Sequence, residues 1–297
     1  MDLTITIITD ALVFSAYLFI VASGLTIVFG VMKVLNVAHG SMYAWGAYAS
    51  AFMISYGSQR GWPVWTALVT IPLAAMLAGG ALGWLLEKGL RVLHGRDEAV
   101  VVLATFGVFL VLEDLILVVF GTDPYIASDP MVAAGAVSIG GVLRDGYGLL
   151  LILVAGAVAA ACHLLLSRTR RGKLLQAVIH DREISAALGI DAGRMITVTF
   201  VAGSVLAAFA GALMAPMISV SPGLGAEIIV MSFAVVVVGG MGSIPGALIG
   251  ALLVGAVRAT AVHLVPEIEF FVIYVVMALT LAFRKEGLFV PVKARKI

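Results

Sequence analysis

Residues 149–166 read LLLILVAGAVAAACHLLL, and this uninterrupted apolar run decides the class of fold. The run does not alternate apolar and polar residues, as the strands of a membrane β-barrel would. Its length and composition suit a membrane-spanning helix, since about 20 apolar residues cross a bilayer. The run therefore predicts a helical membrane protein.

The composition of the whole chain extends this prediction. Apolar residues make up 62% of the 297 residues, against about 45–50% in a soluble domain, and charged residues only 12%. A soluble domain of this length has too few interior positions to bury them. This excludes a soluble enzyme, a nucleic-acid-binding protein and a disulfide-built secreted domain, and the lone Cys162 cannot form an intrachain disulfide. The net charge of +1 provides no global basic field for nucleic acid.

The predicted fold class is an all-α polytopic membrane protein with about eight or nine transmembrane helices. Broken or short helices are expected near 33–40 and 239–246. No separate soluble domain is visible, so residues 1–297 are expected to form a single transmembrane domain with an inside loop at about 168–194. The apolar stretches lie at about 11–32, 37–57, 63–86, 99–120, 147–167, 195–218, 227–240, 244–262 and 268–284.

The distribution of Lys and Arg predicts the orientation, because positively charged loops stay on the cytoplasmic side. Of the 18 cations, 15 fall on one side of the predicted membrane, which places the N-terminus outside and the C-terminus inside. The exceptions are Arg60, Arg144 and Arg258. The cations on the inner side are Lys33, Lys88, Arg91, Arg96, Arg168, Arg170, Arg171, Lys173, Arg182, Arg194, Arg284, Lys285, Lys293, Arg295 and Lys296.

The same count indicates a helix break at Gly239–Gly246, within the apolar stretch 227–262. If 227–262 were one span, the basic tail would lie outside; two short crossings, or one crossing and a re-entrant piece, restore the rule. The break reads GGMGSIPG and includes Gly239, Gly240, Gly242 and Ser243. Glycines also repeat every four residues at Gly242, Gly246 and Gly250, as in a ridge that packs closely against a neighbouring helix. Pro245 suits the first turn of the next helix. The break is either a tight turn between helices or a broken element beside a substrate path.

A second polar break interrupts residues 24–48, which read GLTIVFGVMKVLNVAHGSMYAWGAY. After the break, Gly40, Ala44, Ala47 and Ala51 share one helical face, which lets neighbouring backbones approach closely in lipid. Asn36 is suited to cap this helix. Asn36, His39 and Gly40 either serve capping and packing or line a translocation path.

Glu113 and Asp114 are the acids that lie clearly inside a predicted span. Such residues mark substrate or proton paths in many membrane proteins. Alternatively they approach the outer interface, or pair with an Arg or a helix N-terminus in a neighbouring subunit. Both readings remain open.

The inside loop contains a short amphipathic segment, DREISAALG, at residues 181–189. Ile184, Ala187 and Leu188 fall on one face, and Gly189 is a natural helix stop. A short isolated helix is marginal in water, so a partner groove or the bilayer surface is expected to hold it.

The sequence lacks the P-loop motif for ATP binding and the HxxxH motif of helical zinc sites. The one Gly-Lys pair, Gly172-Lys173, is followed by Leu174, and no glycine stands five residues before it, so no P-loop for ATP is predicted. The histidines at 39, 94, 163, 180 and 263 form no HxxxH pair, so no metal site is predicted. The chain is predicted to be no enzyme.

At these motifs the sequence resembles the LivH-type permease subunits of branched-chain amino-acid ABC importers. The resemblance covers nearly the whole chain. Asn36-Val-Ala-His-Gly40 and Gly46-Ala-Tyr48 match the family's opening signature, and residues 238–247 match its late glycine motif. The inside loop is similar to a coupling loop, in which Glu183, Ala186, Ala187 and Gly189 stand at the shared positions. The two acids Glu113 and Asp114 depart from the amides often found in related permeases.

The resemblance implies a permease domain, in the bacterial inner membrane, that works with several partners. These are a second, LivM-like permease subunit, two ATP-binding subunits that hold the ATP and Mg²⁺, and an extracytoplasmic solute-binding protein. Membrane lipid surrounds the chain; no nucleic acid and no cofactor on this chain are implied. The implied solute is a branched-chain or related amino acid. Urea, short amides, sugars or small organic acids within the same superfamily are alternatives, as is a proton-coupled secondary transporter from another class.

Overall fold

The computed structural model describes residues 2–93, 95–284 and 287–289, and these form a helical bundle. His94, Lys285, Lys293, Arg295 and Lys296, used in the sequence predictions, lie outside the described residues. The helices are α1 (Asp2–Met32), α2 (His39–Gln59), α3 (Ala67–Leu90), α4 (Glu98–Phe120), α5 (Asp129–Ala134), α6 (Gly146–Arg168), α7 (Arg170–His180), α8 (Arg182–Ala187), α9 (Ala192–Met214), α10 (Leu224–Gly239), α11 (Ile244–Leu264) and α12 (Glu269–Phe283).

Each predicted apolar stretch coincides with a helix, yet not every helix suits a membrane crossing. By length and composition, 6 of the described helical segments are candidate spans: Asp2–Met32, Val64–Leu93, Glu98–Phe120, Gly146–Arg168, Ala192–Met214 and Ile244–Leu264. The fold is thus a polytopic helical membrane protein, with fewer candidate spans than the eight or nine expected. The difference lies in α2, which is rich in small and polar residues, and in α10 and α12, which have only 16 and 15 residues.

The long helix α1 forms the centre of the bundle. It packs most extensively against α11 and α9, and also contacts α6 and α10. Leu18, Ile20 and Val21 in its middle are fully buried. A helix that is apolar on all faces is suited to such a position.

Glycines bring the backbones of α1, α2 and α9 into contact. A Cβ added at Gly24 of α1 would lie 2.5 Å from the carbonyl oxygen of Gly203 in α9. Gly46 of α2 lies against the backbone of Ala208. The predicted small-residue face is buried at Ala44, Ala47 and Ala51. These helices are packed through small residues, as in many membrane bundles.

A β-hairpin in the loop between α4 and α6 corrects the all-α prediction. Strands β1 (Ala136–Ile139) and β2 (Val142–Asp145) pair antiparallel, with Ile139 opposite Val142. Gly140 and Gly141 between them both have positive φ, as a two-residue hairpin turn favours. The hairpin was missed because each strand has only four residues.

The loop between α6 and α9 contains two helices where the sequence predicted one. The expected segment at 181–189 forms α8, whose N-cap Asp181 accepts a hydrogen bond from the backbone N–H of Ile184 at 2.9 Å. The additional helix α7 is capped by Thr169, whose hydroxyl accepts from the backbone N–H of Gly172 at 3.0 Å. Its basic start, Arg170-Arg171, hid it from a search for apolar stretches.

Candidate functional site

The break between α1 and α2 holds two buried polar side chains. Nε2 of His39 donates a hydrogen bond to the carbonyl oxygen of Val21 in α1 at 3.0 Å, and its Nδ1 is buried without a partner among the described residues. The Asn36 side chain is also buried, and its Oδ1 has no partner there. The predicted side-chain cap by Asn36 is wrong: the N-cap of α2 is Ala38, and Asn36 contributes its backbone carbonyl to the N–H of His39 at 3.3 Å.

Lys33 begins the same break in an unusual backbone conformation. Its φ of 56° lies in the left-handed region, where no other non-glycine among the described residues is found. Its backbone N–H donates to the carbonyl oxygen of Phe29 at 2.8 Å and ends α1. Partial burial lowers the pKa of its ammonium below the ordinary value, because the charged form loses hydration.

Two sequence candidates from different helices, Gly40 and Glu113, meet at Gly225 in the first turn of α10. A Cβ added at Gly225 would lie 3.1 Å from the carbonyl oxygen of Gly40 and would collide with Oε1 of Glu113. Glu113 is half-buried, and its Oε1 has no hydrogen-bond partner among the described residues. Asp114 is exposed. The carboxylate of Glu113 thus faces a helix N-terminus of its own chain, where negative charge is stabilised.

The helix α2 lies along α4 through a row of side-chain hydrogen bonds. The indole Nε1 of Trp45 donates to the carbonyl oxygen of Leu112 at 3.1 Å. One turn earlier, the Ser41 hydroxyl donates to the carbonyl oxygen of Phe109 at 3.4 Å. This row keeps Glu113 of α4 at the start of α10.

The glycine break between α10 and α11 is a tight, closely packed turn. Gly239 and Gly246 lie backbone to backbone, and Ser243 caps α11 by accepting from the N–H of Gly246 at 3.1 Å. Gly240 and Gly242 have φ of 106° and 86°, which favour glycine. Gly242 therefore lies in the turn and not on the predicted ridge, while Pro245 lies in the first turn of α11 as expected.

Residues 287–289 lie across the end of α10 at this turn. The N–H groups of Leu288 and Phe289 donate to the carbonyl oxygens of Val238 and Gly239 at 3.0 and 2.9 Å. The last turn of a helix leaves such carbonyls without partners. The segment thus satisfies the end of α10.

The short helix α8 carries an exposed apolar face. Gly189 has a φ of 80°, and the N–H of Ile190 donates to the carbonyl oxygen of Ser185 at 3.0 Å, which together make a Schellman end. Ile184 and Leu188 are 60% and 76% exposed. The predicted coupling residues are all exposed on this helix or at its end: Glu183, Ala186, Ala187 and Gly189.

A cavity of about 590 Å³ opens between α1, α2, α10 and α11, where the sequence predicted no site. Aromatic and aliphatic side chains make up much of its wall, and charged groups from separate helices stand among them. None of the residues that the sequence singled out as path candidates lines it. The acidic and basic members of the lining are Asp10, Glu227, Arg258 and His263.

Most charges of the cavity are already paired. Asp10 forms an ion pair with Arg144 of β2, and its Oδ2 lies 2.8 Å from Nε2 of His263. Arg258 pairs with Glu269 and lies 3.9 Å from the centre of the Phe14 ring.

These pairs include Arg144 and Arg258, two of the three cations that the sequence did not place on the predicted inner side. The third, Arg60, lies 4.1 Å from the ring centre of Tyr56. Arg258, which lines the cavity, and Arg144, which pairs with its Asp10, were therefore the exceptions in the charge distribution that could have led to the cavity.

Comparison with known proteins gives a consistent result across the chain. The family described as the branched-chain amino acid transport system / permease component matches residues 7–281. The high-affinity branched-chain amino acid transport system permease protein BraD of Pseudomonas aeruginosa is 28% identical over 284 residues, with 91% of this chain and 90% of that protein covered.

LivH of Escherichia coli, of the same description, is 26% identical over 91% of this chain and 90% of its own length. A probable branched-chain amino acid transport permease protein LivH of Methanocaldococcus jannaschii is 27% identical over 84% of this chain and 78% of its own length.

Proposed function

Because the chain belongs to the family of permease components of branched-chain amino acid transport systems, we propose that it is the membrane-spanning subunit of an ATP-driven importer. The proposed solute is a branched-chain or related amino acid. The family match over residues 7–281 carries this proposal, together with the candidate spans and the exposed loop helix.

The subunit is proposed to form half of a translocation path. A second, LivM-like permease completes it, an extracytoplasmic binding protein delivers the solute, and two ATP-binding subunits supply the energy. ATP and Mg²⁺ are bound by those subunits, which agrees with the missing P-loop motif in this sequence.

The proposed membrane topology has the N-terminus outside and the C-terminus inside the bacterial inner membrane. The distribution of Lys and Arg supports this topology, because positively charged loops stay on the cytoplasmic side. Arg144 and Arg258 are exceptions to that distribution, but each is paired with an acidic side chain that balances its charge. With α2, α10 and α12 added to the candidate spans, the chain makes the proposed eight or nine crossings. At about 1.5 Å per residue, the 21 residues of α2 are long enough for the bilayer core.

The loop at about 168–194, and α8 in particular, is proposed to dock on an ATP-binding subunit. The exposed side chains of Ile184 and Leu188 support this docking site. A helix of only six residues is marginally stable in water, so contact with a partner would stabilise it. The closely packed Gly239–Gly246 turn and the Asn36–Gly40 break are proposed as packing elements beside the path.

Reconstitution of the full complex in liposomes tests the proposal. Uptake of radiolabelled leucine should require ATP inside, the binding protein outside and all four membrane-associated subunits. Uptake by this chain alone, driven by a proton gradient and independent of ATP, would overturn the importer assignment in favour of a secondary transporter. ATP-driven uptake of urea or a sugar, without leucine, would retain the importer and reject the solute.

A further inference from the structure

Glu227 is the charged residue of the cavity that is left without an opposite charge. It lies in the first turn of α10, and no cation among the described residues pairs with it. Asp10 is held by Arg144 and His263, and Arg258 by Glu269. A carboxylate without a paired cation keeps its charge available for a cationic group of a solute, because opposite charges attract at short distance.

Part of the wall around Glu227, which is itself exposed, is apolar and buried. Tyr17 of α1 and Tyr43 of α2 line the cavity, and both residues are almost fully buried. Phe14, Ile228 and Met231 line it as well and are at most 8% exposed. Their burial fixes their positions, so the wall is formed before any solute arrives.

The size of the cavity fits a small solute together with water. Its volume of about 590 Å³ lies within the range of about 300–1,000 Å³ common for small-molecule sites. A leucine-sized molecule fills only part of this space, as expected for a passage that must release its solute.

Resting on the proposed function, we infer that this cavity is a solute-binding site for zwitterionic amino acids with apolar side chains, in which Glu227 binds the ammonium group. The apolar side chain of the solute packs against Phe14, Ile228 and Met231. The solute carboxylate faces Arg258, whose guanidinium has five N–H donors, of which one on Nη2 donates to Oε1 of Glu269. The cavity thereby selects the same class of solute a second time, inside the membrane subunit.

The test compares Glu227→Gln with Glu267→Gln in the full complex in liposomes. Both changes remove one carboxylate, and Glu267 is exposed and lies outside the cavity lining. With radiolabelled leucine, Glu227→Gln should raise the KM of ATP-driven uptake about tenfold or more, as expected for the loss of one charge-assisted hydrogen bond. Glu267→Gln should leave the KM unchanged.

A second measurement separates solute binding from docking of the binding protein. The binding-protein concentration that half-maximally stimulates the ATPase should be the same in wild type and Glu227→Gln. An equal KM in both variants, or a shift confined to this half-maximal concentration, would overturn the inference while the proposed function stands. A wild-type complex that imports no leucine would overturn both.

A mutation-free measurement covers the case in which Glu227→Gln does not assemble. Radiolabelled leucine bound to the wild-type complex, without binding protein, should be displaced by unlabelled leucine. The bound leucine should not be displaced by 4-methylpentanoate, which has the carboxylate and the apolar chain but no ammonium group. Displacement by both compounds at equal concentration would reject Glu227 as the ammonium ligand.

Discussion

Nε2 of His263, near the end of α11, lies 2.8 Å from Oδ2 of Asp10 in α1, across 253 positions of the chain. Asp10 pairs at the same time with Arg144 of the hairpin. A single carboxylate therefore joins three elements at one end of the bundle, beside the cavity. The bundle and the hairpin are coupled through this residue.

Asp10→Asn should weaken this junction, because the amide keeps the shape of the side chain and loses its charge. We expect a loss of about 1 kcal/mol, since Asp10 is partly exposed and solvent screens the pairs. For a domain of this size the unfolding midpoint should fall by roughly 2 °C. Thermal unfolding in detergent measures it, with Asp123→Asn in the exposed loop as control; equal midpoints for both variants would contradict the prediction.

Gly46→Ala should destabilise the contact between α2 and α9. The added methyl group would meet the backbone of Ala208, which cannot move aside like a side chain. Overpacking of this kind costs about 1–3 kcal/mol. Gly156→Ala in α6 is the matched control, because no atom of a neighbouring element in the described part of the chain lies within 4 Å of its added Cβ. Gly156→Ala should be neutral or stabilising; the prediction is wrong if both variants melt alike.

Ala187→Glu should prevent docking of the ATP-binding subunits while membrane insertion continues. The new carboxylate would stand on the exposed apolar face of α8 next to Leu188. Ala177→Glu makes the same change on an exposed position of α7. Co-purification of the ATP-binding subunits should drop about tenfold with Ala187→Glu and little with Ala177→Glu, as burying one unpaired charge requires. Equal recovery of these subunits with the two variants would refute the role of α8.

Glu113→Gln should lower thermal stability, and Asp114→Asn should not. Glu113 faces the first turn of α10, where a carboxylate is favoured over a neutral amide by about 0.3–1 kcal/mol, whereas Asp114 is exposed. The double variant should still insert and import in the full complex. If it abolished uptake without loss of assembly, the two acids would belong to the transport path.

Sequence patterns predicted the helices well where length and apolar composition dominate. The glycine turn with Ser243 and Pro245, and the end of α8 at Gly189, were also predictable, because local chemistry alone determines them. The helix α7 and the hairpin were not, since a basic amphipathic segment and four-residue strands give weak patterns. Asn36 was wrongly expected to cap α2 because its position suits a cap, while tertiary packing buries its side chain instead.

The cavity escaped prediction for a different reason. Asp10, Glu227 and Arg258 each lie on a different helix, far apart in the sequence, and each looks alone like an interfacial residue. Only the packing of α1 against α10 and α11 brings them to one wall. A site built from single residues on separate helices has no local spacing that could be recognised.

The central position of α1 also determines how the protein is made. This helix is synthesised well before its main neighbours α9 and α11, which lie in the second half of the sequence. Its apolar surface must therefore be held by lipid or by an insertion chaperone until those helices arrive. We expect nascent chains arrested before α11 to leave Ser15 of α1, which α11 covers at Gly255, open to a thiol-reactive probe after Ser15→Cys, and full-length chains to protect it. The synthesis of α9 and α11 thus decides when α1 leaves its lipid surroundings.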